Sequence, residues 1–204
     1  EESNEYTEEI KNLLSQFSAI SVRESTGVNI LNNVFGLKAI NLPDPTLGYR
    51  QFENLVLNHK PLHQVFPFLL LEDAKAKEKA NYIANTLGLP LFKHTTITCR
   101  LQNGPRHWLT RIKNSDFIIT DSFHGLALSL IFNKQFFVFC ASEKKFTRLR
   151  SLLKLLSLED RYIESIEDFE KRKDLLLKPI NYTNVNAVLK NEQEKYHMFI
   201  HNYI

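Results

Sequence analysis

The sequence has few cysteines, no long apolar run and almost no excess of charge. Its two cysteines, Cys99 and Cys140, fit no metal-ligand spacing, and we interpret both as reduced thiols of a cytosolic protein. No apolar stretch approaches the roughly 20 residues that cross a bilayer, and we recognise no signal peptide. These absences predict a cytoplasmic location, and they argue against both a disulfide scaffold and a metal centre built on cysteine.

The charge balance also excludes a class of partner. The 204 residues include 26 basic and 23 acidic side chains, for a net charge of +3, and no Lys/Arg run could follow a phosphate backbone. We therefore expect no nucleic-acid partner. A mildly basic chain is compatible with an anionic small substrate or with peripheral association with a membrane. With 43% hydrophobic residues, it can bury a core in one large or two small domains.

The most informative stretch is residues 116–140, DFIITDSFHGLALSLIFNKQFFVFC. Four β-branched or aromatic residues (117–120) before Asp121-Ser122 predict a parallel strand that ends where a helix begins. That helix is apolar on nearly every side, so we expect it to be buried. A second buried strand is predicted over residues 136–140.

The first turn of this predicted helix is polar, and its residues are candidates for a ligand site. Asp121, Ser122 and His124 occupy it, with Gly125 giving room for close approach. The unpaired N–H groups and positive dipole end of a helix N-terminus attract anions, and open α/β sheets bind ligands beyond the carboxyl ends of their strands. We expect Asp121 or Ser122 to cap the helix. The helix dipole favours a neutral imidazole at His124.

Hydrophobic periodicity gives a coarse plan for the remainder of the chain. We expect alternating strands and helices, with prolines around Asp44 forbidding helix and enforcing a turn. No internal repeat is visible. We predict a remnant of an N-terminal Rossmann-like domain over residues 1–57, a C-terminal Rossmann-like domain over residues 58–182, and a closing helix over residues 183–204. The other expected elements are helices at 5–17, 26–35 and 168–177, strands at 19–22, 38–42, 66–71 and 91–93, a linker at 48–65 and a loop at 94–104. Further helices are expected after Asp73, from Pro105 and after Lys145.

Several motifs resemble the polysaccharide pyruvyl transferase family. The strand, T-D-S-F-H-G turn and buried helix followed by N-K over residues 115–139 carry the resemblance most specifically. ISVRE (20–24) with Thr26-Gly27, LPDPTL (42–47) and FTRLRSLLKLLSL (146–158) agree with it, in the family's order. The resemblance implies a GT-B-like architecture of parallel Rossmann-like sheets. The family's early G-N-x-G segment is missing and the chain begins without Met, so we expect an incomplete N-terminal domain.

The resemblance also implies a chemistry. Members of the family move enolpyruvate from phosphoenolpyruvate onto two hydroxyls of a sugar in a cell-surface polysaccharide such as a capsule, or in its lipid-linked precursor. This reaction requires cations for the donor and acid–base groups, and neither a metal nor another cofactor. His124 is the implied catalytic residue or phosphate contact. The implied substrate-binding residues are Arg23, Glu24, Asp121, Ser122, Gly125 and Arg148.

Two other interpretations of the sequence stay open. A sugar-nucleotide glycosyltransferase of the GT-B class uses a similar helix terminus, although the chain lacks a Glu-rich ribose motif. A non-catalytic fragment that binds a partner is the other. For single residues, His124 could be a hydrogen-bonded core histidine, and Arg23 and Arg148 could be solvated surface residues. The acceptor sugar and the oligomeric state are left open.

Overall fold

A computed structural model describes residues 4–49, 51–70, 74–93, 104–139 and 143–203. The chain forms two compact units. Unit 1 comprises residues 1–49 and 189–204, and unit 2 comprises residues 50–188. The domain boundaries expected from the sequence stay predictions. Cys99, Cys140 and the loop expected at 94–104 lie wholly or largely outside the described residues.

Helices and strands alternate along much of the described chain, as is typical of α/β proteins, and the last three α-helices all follow the last named strand. Short 3₁₀ helices occupy Phe52–Leu55 and Glu159–Arg161. The strands are β1 (Ser21–Val22), β2 (Ile40–Asn41), β3 (Val65–Phe68), β4 (Phe117–Thr120) and β5 (Gln135–Val138). The helices are α1 (Asn4–Leu14), α2 (Ser25–Phe35), α3 (Pro45–Gly48), α4 (Ala74–Thr86), α5 (Pro105–Asn114), α6 (Phe123–Ile131), α7 (Glu143–Leu155), α8 (Ile166–Leu176) and α9 (Tyr182–Tyr203).

Unit 2 contains a parallel sheet in which β4 lies between β3 and β5. Each of the two flanking strands makes one further parallel bridge, Val65 to Leu91 and Val138 to Tyr162. Numbered along the chain, the five segments of this sheet are β3, the segment at Leu91, β4, β5 and the segment at Tyr162. Across the sheet they lie in the order 2-1-3-4-5. The order reverses between β3 and β4, and in sheets of this kind ligands bind beyond the strand ends at that reversal.

Helices pack on both faces of this sheet. On the face opposite α4 and α8, Trp108 of α5 contacts Phe66 and Phe68 edge-on, with ring centroids 5.7 and 4.9 Å apart. Because both faces are covered, all four residues of β4 are buried, as is typical of a parallel strand. The cluster formed with α4 and α8 consists of Val65, Ala80, Ile83, Ala84, Phe117, Ile119, Phe137, Phe139, Ile163, Phe169 and Leu176.

Unit 1 has a smaller sheet. β1 and β2 pair in parallel, Ser21 with Ile40 and Val22 with Asn41. Its helices leave much of their apolar surface uncovered in the described part of the chain. The exposed apolar side chains of the first two helices and the residues just after α1 are Tyr6, Ile10, Leu13, Phe17, Ile30 and Val34.

The order of the elements is as the sequence predicts, and the mixed α/β class with parallel strands is confirmed, but several details were wrong. The prolines beside Asp44 do not forbid helix, since Pro45 begins the one-turn helix α3, where a missing N–H costs nothing. The strand expected at 91–93 is a single bridge at Leu91. The strand expected to be buried at 19–22 is only two residues long, with Ser21 exposed, since its sheet has only two described strands.

Candidate functional site

The candidate site lies where β3 and β4 end, at the reversal of strand order in unit 2. The turn Asp121-Ser122 follows β4 and leads into α6, whose first turn carries His124 and Gly125. The sequence predicted this strand, turn and buried helix together, and all three are present. Residues 125–130 of α6 are buried, so the helix is held from all sides and its N-terminus stays fixed at the edge of the sheet.

Gly125 is a requirement of packing rather than simply a source of space. A Cβ added at this position would lie 2.1 Å from Thr120 Oγ1 and 3.0 Å from Phe68 Cδ1. No side chain fits at such distances. The first turn of α6 therefore packs directly on the ends of β3 and β4, because residue 125 is a glycine.

Asp121 joins this turn to the loop that follows β3. Its Oδ1 accepts a hydrogen bond from the N–H of Leu70, with a donor–acceptor distance of 2.6 Å. This bond crosses the reversal of strand order, since Leu70 follows β3 and Asp121 follows β4. A charged acceptor in a short hydrogen bond is a strong link, so one role of Asp121 is to hold the two loops together.

Ser122 occupies the N-cap position of α6 but does not cap with its side chain. Its backbone is extended, with φ −106° and ψ 135°, and no side-chain cap hydrogen bond is formed. The prediction that Asp121 or Ser122 is the N-cap residue is therefore confirmed, but the stabilising side-chain cap bond expected with it is not formed. Ser122 is 2% exposed, and its N–H donates instead to Thr120 Oγ1 at 3.0 Å. As a result, the turn bends back onto the strand that precedes it.

His124 and Arg148 both border the ring of Phe123, the first residue of α6. The His124 imidazole is exposed and meets the ring edge-on at 5.9 Å between centroids. The half-buried Arg148 guanidinium of α7 lies 5.1 Å from the centroid of the same ring, a cation–π distance. Arg148 makes no ion pair with any described residue. A cation and an imidazole are thus brought to one helix N-terminus, and the core histidine interpretation does not hold.

Arg23 and Glu24 follow β1 in unit 1. The Arg23 guanidinium forms an ion pair with Asp44, which is 4% exposed, while Arg23 itself is 46% exposed. Asp44 also caps α3 by accepting from the N–H of Thr46 at 3.0 Å. Burial alone would raise the pKa of Asp44, but hydrogen bonds from Thr46 and Arg23 lower it below its ordinary value. Glu24 is the N-cap residue of α2, without a side-chain cap bond. The ligand contacts expected of Arg23 and Glu24 stay predictions.

The sequence pattern missed Thr120 and the pairing of Arg23 with Asp44. Thr120 is the last residue of a buried strand, and nothing in its spacing shows that its hydroxyl donates to Phe68 O at 2.7 Å. Asp44 was correctly expected to shape its turn, but its ion pair joins residues 21 positions apart. Long-range polar pairs of this kind have no local signal in a single sequence.

Two further features concern the described residues as a whole. Across the described ranges, no group of three or more His, Cys, Asp and Glu side chains is arranged to hold a metal ion. Among the described helices, none combines the length and the hydropathy needed to span a membrane.

Comparison with known proteins defines the class of the chain. The model of the polysaccharide pyruvyl transferase family matches residues 1–139, which include β4, the T-D-S-F-H-G turn, α6 and β5. No curated protein and no solved structure matches the chain significantly. The match covers more than half of the sequence, and the chain belongs to the polysaccharide pyruvyl transferase family. Arg148 lies beyond the matched residues.

Proposed function

We propose that the chain transfers pyruvate from phosphoenolpyruvate to a sugar of a cell-surface polysaccharide or of its lipid-linked precursor. The observation that carries this proposal is the shared position of His124 and Arg148 against Phe123 at the N-terminus of α6. Membership of the family makes the chain a transferase of this class. The donor, the acceptor bond and the roles of individual residues are part of the proposal.

The donor places clear demands on its site. Phosphoenolpyruvate carries a phosphate and a carboxylate, and both need cationic or N–H partners. The first N–H groups of α6 have no partner inside the helix, and they lie at the positive end of its dipole. Arg148 adds a full positive charge next to them, held on Phe123. We assign donor binding to this helix terminus together with Arg148, with Ser122 and Gly125 shaping the approach.

The reaction requires proton transfer at two kinds of atom, the CH₂ carbon of the donor and the hydroxyl oxygens of the sugar. The donor CH₂ carbon gains a proton to become CH₃, two sugar hydroxyls bond to the adjacent carbon, and the C–O bond to phosphate breaks. The two hydroxyl protons balance the one gained by carbon and the one that leaves with phosphate. His124 is the imidazole exposed at this terminus, and we assign it this acid–base work, a role typically worth about 10²–10⁴-fold in rate.

Other parts of the proposal rest on the family alone. We assign the two units to the GT-B class of Rossmann-like domains, with Arg23 and Glu24 of unit 1 as further substrate contacts. The reaction as written uses no metal or other cofactor. We place the protein in the cytoplasm at the inner face of the membrane, where a lipid-linked acceptor would be presented.

A thermal-shift titration tests the donor. Wild type and His124→Ala are each titrated with phosphoenolpyruvate and, separately, with common sugar nucleotides. A ligand at about a hundred times its dissociation constant stabilises its protein by roughly 2.7 kcal/mol, a shift large enough to measure. We expect stabilisation by phosphoenolpyruvate that is reduced in the variant. Stabilisation by a sugar nucleotide alone would replace the proposal with glycosyl transfer, and no shift with either ligand would favour a non-catalytic fragment.

A further inference from the structure

The Thr120 hydroxyl connects the ends of β3 and β4. Thr120 is fully buried. Its Oγ1 donates to the carbonyl of Phe68 at 2.7 Å and accepts from the N–H of Ser122 at 3.0 Å. Phe68 ends β3, and Ser122 is the residue directly before α6. One side chain thereby joins the neighbouring strand to the turn that leads into the helix carrying His124.

The missing side chain of Gly125 leaves the space that this hydroxyl occupies. A Cβ at residue 125 would lie 2.1 Å from Thr120 Oγ1. The hydroxyl is therefore enclosed between β3, the turn and the first turn of α6. Its hydrogen bond with Ser122 is buried and its hydrogen bond with Phe68 is partly buried, so loss of the hydroxyl would leave the buried Ser122 N–H without this acceptor. Movement of the α6 N-terminus along or away from the sheet would break at least one of these two hydrogen bonds.

A second link lies on the solvent side of the first. The Asp121 carboxylate accepts from Leu70 N–H across the same reversal of strand order. Thr120 and Asp121 are consecutive, so their side chains hold the turn to the β3 side at two successive positions. The helix terminus is set by these polar contacts as well as by apolar packing.

We propose that Thr120 is a positioning residue for the candidate site, acting through the turn on His124 and on the N–H groups of α6. The expected effect of Thr120 on activity rests on the proposed function. The expected effect of Thr120 on the position of His124 does not. Acid–base catalysis requires the proton-transfer atoms to be within hydrogen-bond reach of the substrate. A displacement of about 1 Å can cost on the order of a hundredfold in rate.

Unit 2 contains a matched control for this hydroxyl. Thr110 is also buried, at 8% exposure, and its Oγ1 likewise donates to a backbone carbonyl, Arg106 O at 2.7 Å, and accepts from a backbone N–H, Leu57 N at 2.8 Å. Valine has nearly the same shape as threonine and lacks the hydroxyl. Thr110→Val and Thr120→Val therefore remove the same kind of hydrogen bonds at two places in one unit.

The test compares Thr120→Val, Thr120→Ser and Thr110→Val with wild type by two measurements. The first is the His124 imidazole Cε1–Hε1 NMR signal, assigned by its absence in His124→Ala. The second is the kcat and KM of phosphoenolpyruvate-dependent phosphate release. We expect Thr120→Val to move the His124 signal and to lower kcat/KM about tenfold to a hundredfold. Thr120→Ser should restore both, and Thr110→Val should change neither while losing comparable thermal stability.

An unchanged His124 signal and unchanged kcat/KM in Thr120→Val would overturn the inference, as would equal effects in Thr110→Val. If Thr120→Val does not fold, Thr120→Ala removes the same hydroxyl with a smaller side chain and is judged by the same comparison. Failure of the proposed function looks different. In that case wild type itself releases no phosphate, and the NMR signal alone decides whether Thr120 positions His124.

Discussion

The two units pass from a strand into a helix through the same arrangement, and the two turns are held in different ways. In unit 1 the strand ends at Val22, two residues follow, and Gly27 is the third residue of α2. In unit 2 the strand ends at Thr120, two residues follow, and Gly125 is the third residue of α6. Each glycine packs against the last residue of the strand. The repeat is not visible in the sequence, because VRESTG and TDSFHG share only the glycine.

The difference lies in what each turn does with its polar groups. The Arg23 cation of the first turn is neutralised by the buried Asp44 carboxylate. At the second turn, Arg148 stacks on Phe123 and has no described carboxylate partner, and His124 is exposed. A cation that is already paired contributes less to binding an added anion than one that is not. The same backbone arrangement therefore carries a paired cation in unit 1, whereas the turn in unit 2 is the better candidate for donor binding.

The largest expected effect on the free energy of unfolding comes from replacing the glycine of the second turn with alanine, and the same replacement in the first turn is its control. In Gly125→Ala the new Cβ meets Thr120 Oγ1 at 2.1 Å, whereas in Gly27→Ala it lies 3.2 Å from Val22 Cβ. We expect Gly125→Ala to destabilise the protein by about 3 kcal/mol through overpacking. Gly27→Ala should change stability by less than about 1 kcal/mol, because the higher helix propensity of alanine offsets the tight contact. Urea unfolding of both variants measures the difference.

The cause of that effect can be checked by a double mutant. Removing the obstructing hydroxyl with Thr120→Ala should recover part of the stability lost in Gly125→Ala. Strictly additive losses would show that the Thr120 hydroxyl is not what excludes a side chain at residue 125. Equal costs of alanine at residues 27 and 125 would remove the proposed distinction between the turns.

The next effect concerns the cation at the second turn. Arg148→Ala should weaken phosphoenolpyruvate binding about tenfold, since it removes the charge beside α6 that has no carboxylate partner among the described residues. Arg150 of the same helix is the matched control, because its guanidinium also stacks on a phenyl ring, that of Phe146 at 4.8 Å. Isothermal titration of both variants gives the two affinities. An equal loss in Arg150→Ala would mean that net charge, rather than position, accounts for the effect.

The smallest effect is the pH dependence of the first turn. The pKa of Asp44 is lowered in the folded protein, from an ordinary carboxyl pKa of 3.8. The charge of Asp44 therefore stabilises the fold at pH values above 3.8. This stabilisation is lost as the pH falls through the lowered pKa. Asp44→Asn keeps a capping side chain and removes the charge. We expect it to cost less than about 1 kcal/mol near pH 7, since Arg23 is half exposed.

Thermal unfolding of wild type and Asp44→Asn across the acid range measures this contribution. The difference in stability should shrink and vanish as the pH falls below 3.8 and through the lowered pKa of Asp44, because the wild-type carboxylate is then protonated. A difference that stays constant over the whole range would show that the Arg23–Asp44 pair adds nothing that depends on charge.

Local pattern was enough to predict the β4–α6–β5 segment, because each element there has its own signal. The aromatic and β-branched residues of β4 and the almost wholly apolar α6 indicate burial directly. Elsewhere in the chain, Gly36 and Gly88 mark the ends of their helices, with φ of 65° and 66°. The α3 helix was missed because prolines were taken to exclude a helix there. Pro45 is the first residue of α3, and the first position of a helix is where proline is favoured. What the sequence could not show were polar contacts between distant residues, such as Thr120 with Phe68 and Asp121 with Leu70.

The most direct test of the account is phosphate release from phosphoenolpyruvate by wild type and His124→Ala, with a panel of free, nucleotide-linked and lipid-linked sugars as acceptors. We predict acceptor-dependent release by wild type, reduced in His124→Ala by about 10²–10⁴-fold, with an unchanged far-ultraviolet circular dichroism spectrum. We expect the variant to fold, because the His124 imidazole is exposed and the ring it contacts is that of its chain neighbour Phe123. Equal rates of release in the two proteins, or no release by wild type with any sugar, would contradict the assignment of pyruvyl transfer to the α6 turn.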